Sequence, residues 1–327
     1  MGRRQVLGIF GTTGALLVVG CGDDGDSSTG SGGTGSTDSP TTGGPTTGGT
    51  SSASSGASTV EPTGGEGTPG TASTTATTDT ASTTDTTGAI ECGDPAAAWA
   101  TGGTASMTAQ DCYPDPFARP VLSCGLICET TAGPCTTAVK LERKDVSEGF
   151  AGLPVRLSLL VVDADTCAPV AGAKVEIWHT QRTGVYSGVT PNPPACYLDD
   201  PEAATFMYFR GTQTAGADGR VDFDTCFPGW YSGRAIHIHF QVIRDAKVYA
   251  TSQLFFADEL NAEIFASHPE YSEFGAPNRT NISDNIIGNQ ADKSNYVLDT
   301  ARMPDGAMLA SKAIAIRSSP QDPSCAV

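Results

Sequence analysis

The chain has 327 residues and a formal net charge of −17, with 36 acidic and 19 basic side chains. This acidic excess argues against nucleic acid or an anionic membrane surface as a partner, because both would repel the protein. The length would allow two domains, but the composition indicates a signal, a low-complexity tail and one folded domain.

The N-terminus is typical of an exported bacterial protein. The pair Arg3 and Arg4 precedes an apolar run over residues 6–19, which is too short and too interrupted to span a membrane. The run ends at Val-Val-Gly-Cys, which resembles a lipobox whose lipidated residue would be Cys21. We therefore predict that residues 1–21 are an export signal of a cell-envelope lipoprotein, periplasmic or at the cell surface.

Two points about this signal stay open in the sequence. The arginine pair favours the twin-arginine route, although an ordinary basic signal would contain the same residues. An ordinary signal peptide with a chance cysteine is the alternative to the lipobox. The lipobox is favoured because a low-complexity segment follows Cys21 directly. In this interpretation the protein contacts a membrane only through the lipid anchor at Cys21.

Residues 22–90 are rich in Gly, Ser, Thr and Pro and contain no Phe, Trp, Tyr, Lys or Arg. Such a segment cannot bury enough apolar surface to offset the entropy lost on ordering. We predict a disordered tether with an end-to-end distance of about 45 Å. The folded domain is then residues 91–327.

Nine cysteines lie in the predicted folded domain. In an exported protein they predict disulfides, and the odd number leaves at least one thiol free or bonded to another molecule. The pairing cannot be deduced from spacing. Cys124, Cys128 and Cys135 could also form part of a metal cluster, but no fourth ligand lies at zinc-like spacing, so disulfides are favoured.

Short apolar segments separated by turn residues predict an all-β fold, an antiparallel β-sandwich with long loops. The predicted strands are residues 153–162, 173–179, 205–210, 220–225, 235–243, 248–256 and 307–316. One short helix is predicted near residues 259–267. The remaining polar loops are expected to leave His268 exposed.

The strand that begins at residue 235 carries the pattern Ile-His-Ile-His-Phe. Side chains alternate across a strand, so His237 and His239 point to one face while the apolar residues between them point to the other. Two imidazoles on one face are a ready pair of metal ligands. Tyr231 lies just upstream on a Pro-Gly turn, and Arg234 lies between this tyrosine and the histidines.

A pair of histidines on a strand is by itself often only a solvated or hydrogen-bonded pair. Here two of the four histidines of the chain fall in one short motif, together with a tyrosine and an arginine. This concentration favours a metal site. Trp178 and His179 receive simpler interpretations, a core or pocket wall and a structural hydrogen bond.

Three stretches of the chain resemble the intradiol ring-cleavage dioxygenase family. Residues 175–188 contain Val-Glu-Ile-Trp-His and Gly-Val-Tyr-Ser-Gly and resemble its first signature. Residues 210–213 and 218–223 resemble the middle of that family, and residues 228–240 resemble its metal-binding signature. The resemblance covers roughly residues 124–316, in the correct order, and is strongest to the secreted single-chain members.

The resemblance implies a mononuclear non-haem Fe(III) site whose ligands are Tyr186, Tyr231, His237 and His239. It further implies that Arg234 stabilises negative charge beside the iron. A catechol would displace Tyr231, which takes up a proton, and O2 would open the ring between the hydroxyls to give a muconate-type diacid. Pocket walls are expected in residues 125–150 and 189–203. The helical dimerisation region of the catechol-type enzymes is not apparent, so the oligomeric state stays open.

Two other functions fit the same tail, fold class and acidity. One is a non-catalytic β-sandwich module that binds a carbohydrate or a protein at a surface. The other is a lipoprotein that binds ferric ion or a catecholate without turning it over. The combination of two tyrosines, two histidines and an arginine favours the enzyme.

Overall fold

The computed structural model describes residues 92–121, 124–290 and 292–325. The predicted export signal with Cys21 and the predicted tether of residues 22–90 lie outside these residues, so both stay predictions. Within the described residues, no helix combines the length and the apolar character needed to cross a bilayer.

Eight strands and two α-helices make up the described part of the chain. The strands are β1 (Pro154–Asp163), β2 (Lys174–Trp178), β3 (Arg210–Thr214), β4 (Arg220–Cys226), β5 (His237–Arg244), β6 (Lys247–Phe255), β7 (Asp299–Arg302) and β8 (Met308–Ile316). The helices are α1 (Pro193–Tyr197) and α2 (Asp258–Ser267). Short 3-10 turns occupy Gly103–Ser106, Gln110–Cys112, Pro201–Thr205 and Ser272–Phe274.

The strands form two four-stranded sheets, with the orders β4-β1-β8-β7 and β3-β2-β5-β6. The predicted all-β sandwich is therefore confirmed. Its fully antiparallel character is corrected at one place, because β1 and β8 pair in parallel, with Val155 opposite Met308. A parallel pair needs a long connection, and the whole second sheet lies between these two strands in the chain.

The longest apolar run of the domain forms strand β1. The run is continuous because both faces of this strand are buried. Leu157 and Leu159 join the main core between the sheets. Leu160 and Val162 point the other way and pack with Ala315 in a second, smaller cluster. A strand covered on both faces is expected to read as a continuous hydrophobic segment.

The third predicted strand is misplaced. Within the predicted range 205–210, residues 206–209 do not form a strand, because the 3-10 turn Pro201–Thr205 precedes them and Phe209 has a positive φ of 55°. Strand β3 begins only at Arg210. The aromatic residues of this segment pack together in a loop instead. The ring centroids of Phe150 and Tyr208 are 4.4 Å apart, and Phe206 is 39% exposed.

Four disulfides are present in the described residues, as the cysteine content predicts. They join Cys92 to Cys112, Cys124 to Cys167, Cys128 to Cys325 and Cys135 to Cys196. The three closely spaced cysteines thus belong to three separate bonds and form no metal cluster. Cys226 is the buried thiol left over, and burial raises its pKa, so it stays protonated.

The helix predicted near residues 259–267 is confirmed as α2, but the environment expected for His268 is wrong. His268 is buried, with its Nε2 atom 2.9 Å from the carbonyl oxygen of Ala100. Ala100 and Gly102, in the N-terminal segment of the domain, contact His268 and Glu270 just after the C-terminal end of α2. A partner 168 residues away leaves no signal in the local sequence.

Candidate metal centre and active site

The two histidines of β5 lie side by side on one face of the strand. His237 is 3% exposed and His239 is 2% exposed. Their Nε2 atoms are 3.2 Å apart. Ile238 and Phe240, on the other face, are fully buried in the main core. Both imidazoles thus lie on one face, as the alternation in the sequence predicts, and the structure shows that this face is buried.

Two loops bring a tyrosine to this position from either side. The loop after β2 carries Tyr186, and the loop before β5 carries Tyr231. Gly229 links the loops, because its N–H donates to Gln181 and its carbonyl accepts from the Thr180 hydroxyl at 2.7 Å. Gly184 has a φ of 83° and lies so close to the carbonyl of Trp230 that a side chain there would clash. These contacts hold the two phenols against each other.

All four predicted ligands meet at one point. The Oη atoms of Tyr186 and Tyr231 each lie 3.3 Å from the Nε2 atom of His237. With the Nε2 atom of His239, three polar atoms lie within 3.3 Å of this nitrogen. Such a spacing is the one expected between neighbouring ligands whose bonds to one ion are about 2.0–2.1 Å long.

The hydrogen bonding of His237 suits a metal ligand. Its Nδ1 atom donates to the carbonyl oxygen of Ala235 at 2.6 Å, which leaves Nε2 with a free lone pair directed at the centre. No group of three His, Cys, Asp or Glu side chains in the described residues forms a metal site. A metal bound here would therefore need the tyrosine oxygens as well as the imidazoles.

Burial sets the charge of each candidate ligand. It lowers the pKa of His237 and of His239 well below the usual value, so both imidazoles are neutral, the form that binds metals. Burial also raises the pKa of Tyr186 well above its usual value and raises that of Tyr231. Phenolates in this place need a compensating cation, and a bound metal ion is the largest local charge that could supply one. The donor set therefore fits a highly charged ion.

Arg234 is directed at the same point. Its Nη1 atom lies 3.4 Å from His237 Nε2 and 3.5 Å from Tyr231 Oη. Its Nε atom donates to Asp284 Oδ2 at 2.9 Å, and its Nη2 atom donates to Gln253. The guanidinium is thus held from behind while one edge faces the candidate ligands.

Asp284 is a site residue that the sequence analysis missed. Its side chain is fully buried and accepts hydrogen bonds from the backbone N–H groups of Ala235 at 2.9 Å and Ile286 at 2.8 Å. The only signal in the sequence is that Asp284 is the one charged residue in 280–291. Gln253 was missed as well, and its Nε2 atom donates to the carbonyl of Thr131 at 2.9 Å.

Trp178 and His179 lie where the sequence analysis expected. The indole of Trp178 stacks on the imidazole of His239, with ring centroids 4.9 Å apart and planes 6° apart. His179 contacts the Thr225 hydroxyl at 2.7 Å and the Thr180 carbonyl at 2.8 Å, away from the four candidate ligands. Trp178 thus supports a candidate ligand, whereas His179 has a structural role.

A cavity of about 470 Å³ is lined by Thr131, whose carbonyl accepts from Gln253, and by Asn285, which follows Asp284 in the chain. One wall is residues 129–131, within the predicted range 125–150, and the other comes from residues 285–290, which the sequence analysis did not predict. The second predicted range, 189–203, lies elsewhere. Its residues 198–200 and 202 line a separate groove of about 560 Å³ beside Val185.

No family model matches the chain. Over 103 residues it is 31% identical to catechol 1,2-dioxygenase 1 of Acinetobacter lwoffii, a match that covers 26% of this chain and 30% of the relative. Over 113 residues it is 30% identical to a chlorocatechol 1,2-dioxygenase of Pseudomonas sp. strain P51, which covers 29% and 41%. The chain thus spans less than half the length of the curated relatives it matches.

A solved structure matches more completely. The intradiol ring-cleavage dioxygenase from Tetranychus urticae is 28% identical, with a TM-score of 0.52, and the match covers 62% of this chain and 98% of that one. The two-sheet fold of this chain is similar to that of this dioxygenase. The chain is therefore similar to intradiol ring-cleavage dioxygenases in sequence and in fold.

Proposed function

We propose that this protein is an Fe(III)-dependent intradiol dioxygenase. It opens a catechol ring between the two hydroxyls with O2 and gives a muconate-type diacid. The observation that carries this proposal is the convergence of four buried donor side chains, Tyr186, Tyr231, His237 and His239, beside the cation of Arg234.

The four donor side chains would hold one ferric ion. Phenolate oxygen is a hard anionic donor that favours the ferric state, and neutral imidazole suits iron generally. When bound, the ion supplies the Lewis acidity that activates a chelated catechol towards O2. The protein supplies a dry, preformed site, because both imidazoles and Tyr186 are at most 3% exposed.

The two tyrosines have different roles. Tyr231 is only partly buried and lies on the same loop as Arg234, whereas Tyr186 is 2% exposed. Tyr231 is therefore the one that can leave the centre when a catechol binds. Its Oη atom then accepts a proton from a catechol hydroxyl, the work of a positioned general base.

Arg234 holds a fixed positive charge where the oxygens of the substrate would lie. Its bonds to Asp284 and Gln253 hold the guanidinium in place before the reaction begins. A preorganised cation of this kind stabilises negative charge that develops in the transition state. It does not bind the metal itself, because a guanidinium has no lone pair to donate.

The same arginine argues against simple storage of ferric ion. A protein that only stored ferric ion would be weakened by a cation 3.4 Å from one of the ligand atoms, because like charges repel. A β-sandwich that binds a carbohydrate or a protein at its surface would have no use for four buried donors. Catalysis accounts for the donors and for the cation together.

The test is to load the purified protein with ferric ion, record its visible spectrum and measure O2 uptake with catechol. We expect one iron per chain, a tyrosinate-to-iron charge-transfer band and O2 consumption that depends on catechol. A coloured protein that binds catechol in air and consumes no O2 would contradict catalysis. It would favour the ferric- or catecholate-binding alternative.

We also propose that the enzyme is exported and anchored to a membrane through Cys21, with residues 22–90 as the tether. The lipobox-like run supports this location, and the low-complexity composition supports the tether. A Cys21→Ser variant should stay unprocessed or appear in the soluble fraction. Normal processing of that variant with continued membrane partitioning would contradict the anchor.

A further inference from the structure

The cavity of about 470 Å³ has two walls. One wall is linked to the candidate active site by a hydrogen bond, and the other by the neighbouring residue in the chain. The first contains Thr131, whose carbonyl accepts a hydrogen bond from Gln253 at 2.9 Å. The second begins at Asn285, directly after Asp284, which binds Arg234 at 2.9 Å. Since Arg234 also donates to Gln253, both walls are linked, by a hydrogen bond or by the chain, to the partners of the guanidinium that faces the donor side chains.

The charges of the lining residues argue against a charged ligand, whether anionic or cationic. No Lys or Arg is among the described residues that line it, and its one ionisable lining residue is Glu129. This carboxylate already pairs with Arg317 at 3.2 Å. Lys293 donates to the Gln290 carbonyl at 2.7 Å, so the two nearby cations both have partners already. A carboxylate on the ligand would therefore lose its hydration without gaining an unpaired cation in the lining, and an ammonium would find Glu129 already paired.

The remaining lining groups are neutral hydrogen-bonding side chains. Asn285 and Asn289 are exposed, and within the described residues their amides have no hydrogen-bond partner. The Thr130 hydroxyl oxygen is buried and also lacks a partner there. Gln290 contributes a further amide and Ile286 an apolar side chain, and apolar atoms make up more than half of the lining surface. Each amide can both donate and accept, which matches the hydroxyl groups of a neutral polyol.

The size of the cavity points beyond a single ring. A volume of about 470 Å³ lies within the range of pockets that enclose a drug-sized ligand. Unsubstituted catechol bound at the donor cluster would leave most of this space to water. A ligand that fills it extends well past the two hydroxyls and the ring.

We propose that this cavity is the subsite for the substituent of the catechol ring. The substituent is neutral and rich in hydroxyl groups, as in a sugar attached to the catechol, and is not a carboxylate. The proposal rests on the proposed function, which places the catechol hydroxyls at the donor cluster. Asn285, Asn289 and Gln290 are then the residues that determine specificity.

The test compares catechols that differ only in the substituent. Hydroxytyrosol ends in an alcohol, dopamine in an ammonium and homoprotocatechuate in a carboxylate, and the glucoside of hydroxytyrosol adds a sugar. Affinities are measured anaerobically by calorimetry on the iron-loaded protein, and kcat/KM values are measured in air. We expect the glucoside to be favoured over homoprotocatechuate by at least about tenfold in both, as two or more added hydrogen bonds allow.

Two variants locate the effect. The double variant Asn285→Ala/Asn289→Ala should lose about tenfold in affinity for the glucoside and less than twofold for unsubstituted catechol. Asn192→Ala is the matched control, because Asn192 is an exposed asparagine outside this cavity and makes no side-chain cap hydrogen bond. It should leave every affinity unchanged.

Equal affinity of the wild type for the glucoside and for homoprotocatechuate would overturn the subsite, as would a preference for dopamine or homoprotocatechuate. An equal loss of glucoside and catechol affinity in the double variant would overturn it as well. These outcomes are separate from a failure of the proposed function. In that case the protein would consume no O2 with any catechol, whereas calorimetry would still report which substituent the cavity prefers.

Discussion

Arg234 and Asp284 form a salt bridge with 2.9 Å between Nε and Oδ2, although 50 residues separate them in the chain. The carboxylate is fully buried and also accepts the backbone N–H groups of Ala235 and Ile286. A buried carboxylate with this many donors is rigidly placed. It fixes the direction in which the guanidinium faces the candidate ligands.

Removal of the charge at Asp284 should therefore reduce catalysis without removing the metal. In Asp284→Asn we expect kcat to fall by up to about 10²-fold through misplacement of Arg234, with the iron content unchanged. The free energy of unfolding should fall by about 3–5 kcal/mol, because one partner of a buried ion pair is lost. Asp245→Asn is the control, since that carboxylate is 83% exposed in its pair with Arg244. Loss of iron together with activity would show that Asp284 supports the ligands themselves.

The two tyrosines should respond differently to removal of their hydroxyls. Tyr231→Phe should retain ferric ion through three protein ligands and lose about 10²–10⁴ in rate, because the base that accepts the catechol proton is gone. Tyr186→Phe should weaken ferric binding itself. Iron titration and the charge-transfer band separate the two effects. Tyr249→Phe, a buried tyrosine on β6, is the control and should resemble the wild type. Equal effects of both site variants on iron affinity would contradict the assignment.

The Cys135–Cys196 disulfide should matter for metal binding as well as for stability. The backbone N–H of Tyr186 donates to the Cys196 carbonyl at 2.9 Å, and Arg210 donates to the Cys135 carbonyl at 2.7 Å. Arg210 in turn lies with its guanidinium 5.9 Å from the centre of the Tyr186 ring, so the disulfide joins two segments that contact Tyr186 directly or through Arg210. We expect Cys135→Ser/Cys196→Ser to bind ferric ion more weakly, with the dissociation constant measured by titration.

A second disulfide supplies the control for that experiment. Cys124–Cys167 lies beside the carbonyls of Asp163 and Ala164, at the end of β1 in the other sheet. Loss of either disulfide should cost about 2–5 kcal/mol of stability. Only loss of the first should change the ferric dissociation constant. If both double variants bind iron equally, the disulfide has no role in placing Tyr186.

His179 should make stability depend on pH in the acid range. Burial lowers its pKa to about 3, against 6.5 in an unfolded chain. As the pH falls below 6.5 the unfolded chain takes up the proton first, so stability that is present at neutral pH is lost towards pH 3. Urea unfolding of the metal-free protein should show a steeper acid loss than His179→Gln, by up to about 1.4 kcal/mol per pH unit. Equal slopes would mean that His179 is not buried as a neutral ring.

Local patterns in the sequence predicted the strands whose side chains alternate or form apolar runs. Strand β5 and its histidines follow from alternation, and β8 follows from a run of apolar residues. The position of β3 could not be predicted in this way, because the aromatic residues before Arg210 pack on one another in a loop. The parallel pairing of β1 with β8 joins two strands that are far apart in the sequence, so no local pattern predicts it.

The candidate ligands were predictable from the sequence, but the residues that support them were not. Tyr186, Tyr231, His237 and His239 belong to motifs, so the resemblance predicts them as ligands, and the structure brings their side chains together. Their role as ligands stays a prediction. Asp284 belongs to no motif that the sequence analysis recognised. Its partner is 50 residues away, and a single acidic residue in a polar loop is usually solvated. Only the fold shows that it is buried behind the guanidinium.

The most direct test of the central claim is the fate of labelled oxygen. The iron-loaded protein is incubated with catechol under ¹⁸O₂, and the products are analysed by mass spectrometry. We expect a muconate-type diacid with one labelled oxygen in each new carboxyl group, because both atoms of O2 enter the ring-opened product. An unlabelled quinone, or unchanged catechol bound to a coloured protein, would contradict intradiol ring cleavage.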